Sequence, residues 1–142
     1  MHTSQTAQRP TVVLADDNTA LLAALRQLLE PHFDVVATVD NGASLVQTVK
    51  ALEPDLAVVD ISMPKMGGIE AAERLRGASS TRVVFLTMHQ ESAIVKRALG
   101  TGAFGYVLKR GIVSELVAAL QEALHKRRFV SSQLRGKFES EN

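Results

Sequence analysis

Five short apolar runs recur along the chain: TVVLA (11–15), FDVVATV (33–39), DLAVVD (55–60), RVVFLT (82–87) and FGYVLK (104–109). They are rich in Val and Leu and lack a consistent inward/outward alternation, which is the pattern of strands covered on both faces of a parallel sheet. Each is followed by apolar residues at helical spacing. Leu21, Leu22, Leu25, Leu28 and Leu29 form the first such set, and Leu45, Val46, Val49 and Leu52 the second. Ile69, Ala72 and Leu75 follow, then Ile94, Val95, Ala98 and Leu99, and finally Leu116, Ala119, Leu120, Ala123 and Leu124. Pro31, Pro54, Gly77 and the pair Gly100 and Gly102 stop the first four helices. The start of the fifth lacks a Ser, Thr, Asp or Asn cap, with Gly111 and Ile112 at that place. Strand and helix in alternation imply parallel pairing through right-handed crossovers. The expected class is α/β: an open, five-stranded parallel sheet with five helices.

A chain of 142 residues suits one domain with a proper core. The reading divides it into a disordered N-terminus (1–10), the α/β domain (11–127) and a segment (128–142) with no clear element. Absence of cysteine excludes disulfides, thiolate chemistry and Cys-based zinc sites. The N-terminus has no signal-peptide core and no apolar stretch is long enough to span a bilayer, so a cytoplasmic location without membrane contact is expected. The net charge of +1 hides an asymmetry: from Ala123 on, five basic side chains face two acidic ones. A solvated helix end explains that excess more economically than a nucleic-acid or lipid contact.

Chemistry concentrates where the runs end. Asp16 and Asp17 follow the first, Asp60 ends the third, Thr87 ends the fourth and Lys109 ends the fifth. Open parallel sheets bind ligands outside the carboxyl ends of their strands, at the point where strand order reverses. Singly, Asp16-Asp17-Asn18 reads as a helix cap and Lys109 as a loop lysine. Together they place three carboxylates, a hydroxyl and an ammonium at one sheet edge. Three clustered carboxylates need a proton or a cation to coexist. Oxygen-only donors suit a hard ion such as Mg2+, held by one or two carboxylates together with waters and phosphate oxygens. Thr87 and Lys109 suit the oxygens of a phosphoryl group.

The motifs LADDN (14–18), VVDISMPKMGGIEAAERLR (58–76), LTMH (86–89) and GYVLK (105–109) resemble the receiver domain of two-component response regulators. The resemblance covers residues 11 to about 127, and the phrasing of MPKMGGIEAAERLR and LTMHQE is similar to the NarL/FixJ-type branch. It implies a flavodoxin-like, doubly wound five-stranded parallel sheet of order 2-1-3-4-5. It implies Asp60 as phosphoacceptor and Mg2+ contacted by Asp17, Asp60 and the backbone carbonyl of Ser62, with Asp16 acting through water. Thr87 and Lys109 would hold the phosphoryl oxygens. Tyr106 matches the aromatic switch position, expected to turn inward as Thr87 moves toward the phosphate and so to repack the surface of helix four, strand five and helix five. Ser62 and His89 match positions that gate water. Lys109 is followed by Arg110 rather than the Pro common in the family, so no cis peptide is required there.

The implied partners are a histidine kinase, a second copy of the chain upon phosphorylation, and DNA only through an output domain outside this chain. The implied activity is that of a switch catalysing its own phosphorylation and dephosphorylation, not a turnover enzyme. FVSSQL (129–134) looks like the start of a connector to such an output domain, whereas LRGKFESEN leaves a stand-alone receiver as the alternative. A Mg2+-dependent phosphohydrolase is a rival from another class. Enzymes resembling the haloacid dehalogenases, however, carry a DxD motif after the first strand, where this chain has adjacent Asp16 and Asp17.

Overall fold

The computed structural model describes residues 9–139, with side chains described to Arg135. In chain order the elements are β1 (Thr11–Ala15), α1 (Thr19–Leu29), β2 (Asp34–Val39), α2 (Gly42–Leu52), β3 (Leu56–Val59), α3 (Gly68–Leu75), β4 (Arg82–Thr87), α4 (Ser92–Gly100), β5 (Gly105–Leu108), α5 (Ile112–Leu124), β6 (Phe129–Val130) and α6 (Ser132–Glu139). All strand pairs are parallel, in the order β2-β1-β3-β4-β5-β6.

The period of two along each strand divides the core into two layers. Val13, Ala15, Ala57, Val59, Phe85, Tyr106 and Leu108 point to the side covered by α2, α3 and α4. Val12, Leu14, Leu56, Val58, Val84, Leu86 and Val107 point to the side covered by α1 and α5, where they meet Leu25, Leu29, Leu116 and Leu120. Strands β1, β3, β4 and β5 are therefore almost wholly buried, as their unbroken apolar runs require. Edge strand β2 alternates exposed and buried residues at its start instead. Asn18 and Asn41 cap α1 and α2 by accepting from the amides of Leu21 and Ser44 at 3.0 and 2.8 Å. The uncapped start of α5 follows from a 3-10 turn, Lys109–Gly111, which carries the chain from β5 directly into the helix.

One expectation is corrected. The sheet has six strands and the described residues six helices, because the segment after α5 is structured. His125 ends α5, Lys126 takes a left-handed backbone (φ 60°), and the chain returns to the sheet. Phe129 and Val130 then pair with Gly105 and Tyr106 of β5, and α6 follows. The segment read as having no clear element thus carries β6 and α6 among its described residues. At the other end, the expected disorder of residues 1–10 falls largely outside the described residues. Pro10, however, is held: its carbonyl accepts from Asp34 N at 2.8 Å, next to β2.

Candidate functional site

Sheet order reverses between β1 and β3, and that is where the acidic residues gather. Register brings them together: Ala15 pairs with Val59, and Asp60 N donates to the Ala15 carbonyl at 3.0 Å. Asp16 and Asp60 thus leave adjacent strands side by side. Thr87 pairs with Leu108, so Lys109 enters from the far side of β4. One carboxylate oxygen each from Asp16, Asp17 and Asp60 lie within 4.8 Å of one another. Asp16 and Asp60 are buried, at 2% and 7% exposure, while Asp17 is open to solvent.

Lys109 bridges the two buried acids. Its Nζ donates to Asp60 Oδ2 at 3.2 Å and stands 2.8 Å from Asp16 Oδ2. Burial disfavours the ammonium, but the adjoining Asp16 and Asp60 carboxylates outweigh it and hold the Lys109 pKa above its ordinary value. Asp60 is shifted upward as well. Desolvation is the largest cause, Lys109 opposes it, and the Asp16 charge adds to it. One ammonium among three carboxylates leaves the site short of positive charge.

The residues present fit a hard divalent cation. The donors are all oxygen, and Asp16 Oδ2 is buried without accepting a hydrogen bond of ordinary geometry, although Lys109 is near. Asp16 Oδ1 is used, accepting from Asn18 N at 2.9 Å. Asp17, with its exposed carboxylate, sits at the open side.

The floor of the site depends on Gly68. A Cβ there would stand 2.1 Å from the Asp60 carbonyl oxygen, closer than any side chain tolerates, so only glycine lets α3 begin directly beneath the acid. Before it, Lys65 and Met66 take positive φ angles of 55° and 103°. This tight loop lets the Met66 carbonyl accept from Gly42 N at 2.9 Å. The MPKMGG segment is thereby folded over the end of β3.

Thr87 is fully buried, and its Oγ1 accepts from His89 N at 3.3 Å. Ser62 is exposed, and its hydroxyl meets His89 Nε2 at 2.8 Å. Tyr106 points inward, with no exposure, and its hydroxyl donates to the His89 carbonyl at 2.8 Å. Burial, with the Glu91 and Asp60 charges adding to it, pushes its phenol pKa well above the ordinary range. The sequence did not reveal His89 as the shared partner of Ser62, Thr87 and Tyr106. A polar residue two places beyond a strand-end Thr was the available signal.

A doubly wound parallel sheet, with a carboxylate trio and a bridging lysine at its switch point, defines a phosphoacceptor-type signalling module. The chain belongs to the response regulator receiver domain family, whose model matches residues 12–121. It is 35% identical over 116 residues to the nitrate/nitrite response regulator protein NarL of Escherichia coli strain K12, covering 80% of this chain and 54% of that protein. A LuxR-family two-component response regulator from Aurantimonas superposes with a TM-score of 0.88 at 32% identity, covering 94% of this chain and 98% of that one. The NarL signal receiver domain of Mycobacterium tuberculosis superposes with a TM-score of 0.80 at 34% identity, covering 84% and 98%. These relatives bear out the NarL/FixJ-type branch. The chain spans about half the length of the curated relatives it matches. Receiver domains of this family are phosphoacceptor switches rather than turnover enzymes. None of the described helices is long and apolar enough to cross a membrane.

Proposed function

We propose that Asp60 accepts a phosphoryl group from the phosphohistidine of a histidine kinase, and that this event switches the face made by α4, β5 and α5. The observation that carries the reading is the Lys109 ammonium set between Asp16 and Asp60 within the carboxylate trio. A carboxylate oxygen of Asp60 attacks phosphorus as the P–N bond breaks. The electron pair stays on the imidazole nitrogen, and an aspartyl phosphate, a mixed anhydride, results. Such transfer is governed by positioning and charge neutralisation. Lys109 neutralises phosphoryl oxygens on one side, and the Thr87 hydroxyl donates to another.

Asp17, Asp60 and the Ser62 carbonyl would hold Mg2+, with Asp16 acting through water. When bound, the ion neutralises the charge that Lys109 alone leaves uncompensated. The hydrogen bond between the Ser62 hydroxyl and His89 Nε2 supports the reading of this pair as a gate for water.

Exposed apolar side chains at the mouth support kinase docking there. Met88 (77% exposed) and Val113 (86% exposed) each line a groove that includes Lys109 and Arg110. The likeness to NarL supports a role as the receiver portion of a transcriptional regulator in the cytoplasm, with DNA reached through an output domain and self-association following phosphorylation. The test is the mass of the protein after incubation with acetyl phosphate and Mg2+. One phosphoryl group is expected on the wild type and none on Asp60→Asn.

A further inference from the structure

The chain after α5 pairs with β5, the strand that carries Tyr106. Ser131 is 1% exposed and sits across β5. Its N–H donates to the Tyr106 carbonyl at 2.9 Å, and its Oγ accepts from Leu108 N at 2.9 Å. The same hydroxyl donates to Glu115 Oε1 at 2.6 Å, and Glu115 Oε2 accepts from Ser132 N at 3.0 Å. A carboxylate from α5 therefore caps the first turn of α6 across the tertiary contact, where an acidic group is favoured. Leu134, 3% exposed, packs in the same core layer as Tyr106, Leu108, Val95 and Ala98.

The basic side chains have local work too. Arg135 Nε donates to the Val130 carbonyl at 2.7 Å and its guanidinium stands 4.8 Å from the Phe129 ring centre. Arg128 reaches the Leu99 carbonyl in α4 at 3.3 Å. The segment thus joins β5, α5 and α4, the three elements of the switching face.

We propose that residues Phe129–Arg135 form an intramolecular strap that holds Tyr106 inward, with the Glu115 carboxylate as its latch. Docking of the strap and occupation of Asp60 then favour one another. The second half rests on Asp60 being the phosphoacceptor. One buried leucine and a handful of hydrogen bonds oppose the entropy of ordering seven residues, which is the balance of an element that can dock and release. A phosphate that favours inward Tyr106 favours the docked strap, and by linkage the strap favours the phosphate equally.

The chain has one tyrosine and no tryptophan, so its tyrosine emission belongs to Tyr106. Acrylamide quenching is measured on the full chain, on Glu115→Ala and on Leu134→Ala, with far-UV circular dichroism verifying the fold. Both variants should raise the quenching constant about two-fold or more as Tyr106 samples an outward position. In parallel, trypsin cleavage after Arg128 and Arg135 is timed with and without acetyl phosphate and Mg2+. Phosphorylated protein should be cut about three-fold or more slowly, since cleavage tracks the open population.

Unchanged quenching in both folded variants overturns the strap. Equal cleavage rates in protein carrying the phosphoryl mass overturn the coupling. Absence of that mass counts against the Asp60 reading and removes the coupling with it, and quenching alone then decides the strap.

Discussion

Tyr106 donates its phenolic hydroxyl to the backbone carbonyl of His89 at 2.8 Å. The amide of the same histidine donates to Thr87 Oγ1 at 3.3 Å, and its Nε2 meets Ser62 Oγ at 2.8 Å. The end of β4, the loop beyond Asp60 and the middle of β5 therefore share one residue. In the proposed switch, movement of Thr87 toward a phosphoryl oxygen would withdraw its hydroxyl from His89 N and so reach the residue that holds the Tyr106 hydroxyl.

Thr87→Ala removes that connection and leaves Asp60 in place. The variant should still acquire a phosphoryl group but should lose the change in self-association proposed for the phosphorylated wild type. Sedimentation of the two phosphorylated proteins decides it, and identical responses would break the proposed Thr87–Tyr106 coupling.

Asp17→Ala keeps the fold, because Asp17 is exposed and takes no part in the core. Loss of one charged ligand should weaken Mg2+ binding about ten-fold or more. A Mg2+ titration followed by Tyr106 emission or calorimetry is the measurement. An unchanged titration would reduce the acidic pair to the start of a helix.

Asp60 makes the metal-free protein less stable as pH rises. Its ordinary value is 3.8, and the folded value lies higher. Between the two, the folded state binds more protons than the unfolded chain, so stability falls with rising pH across that window. Above it, the buried charge is fully present. Asp60→Asn should therefore melt above wild type at pH 7 without Mg2+, with about 3–5 °C for each kcal/mol relieved. The advantage should fade as pH drops below 3.8, where wild-type Asp60 is protonated in both states. Mg2+ should raise the wild-type melting temperature and leave that of the variant nearly unchanged.

Gly68→Ala tests the floor of the site. Its methyl would meet the Asp60 carbonyl oxygen at 2.1 Å, and α3 must shift to relieve it. A loss of about 1–3 kcal/mol in chemical denaturation is expected, accompanied by slower phosphorylation. Wild-type stability and rate together would mean that α3 yields without moving Asp60.

Much of this could be read from the sequence because the buried strands are short, apolar and capped by polar residues. TVVLADD, DLAVVD, RVVFLT and GYVLK identify both a sheet position and a site residue, and parallel topology does the rest. Phe129 and Val130 were illegible for the opposite reason. Two residues carry no period, and their strand geometry comes from hydrogen bonds to β5 rather than from local preference. Helix α6 is similarly hidden, since Leu134 is its one fully buried anchor among the described side chains. Whether Tyr106 points in or out depends on the His89 carbonyl and the docked C-terminal segment, neither of which leaves a pattern in GYVLK.

Intact mass spectrometry of wild type, Asp60→Asn and Lys109→Ala, each after incubation with acetyl phosphate with and without Mg2+, tests the central claim most directly. The expected result is one added phosphoryl group on the wild type that depends on Mg2+, none on Asp60→Asn, and a much slower gain on Lys109→Ala. Equal labelling of Asp60→Asn and wild type would contradict the assignment of Asp60 as the acceptor.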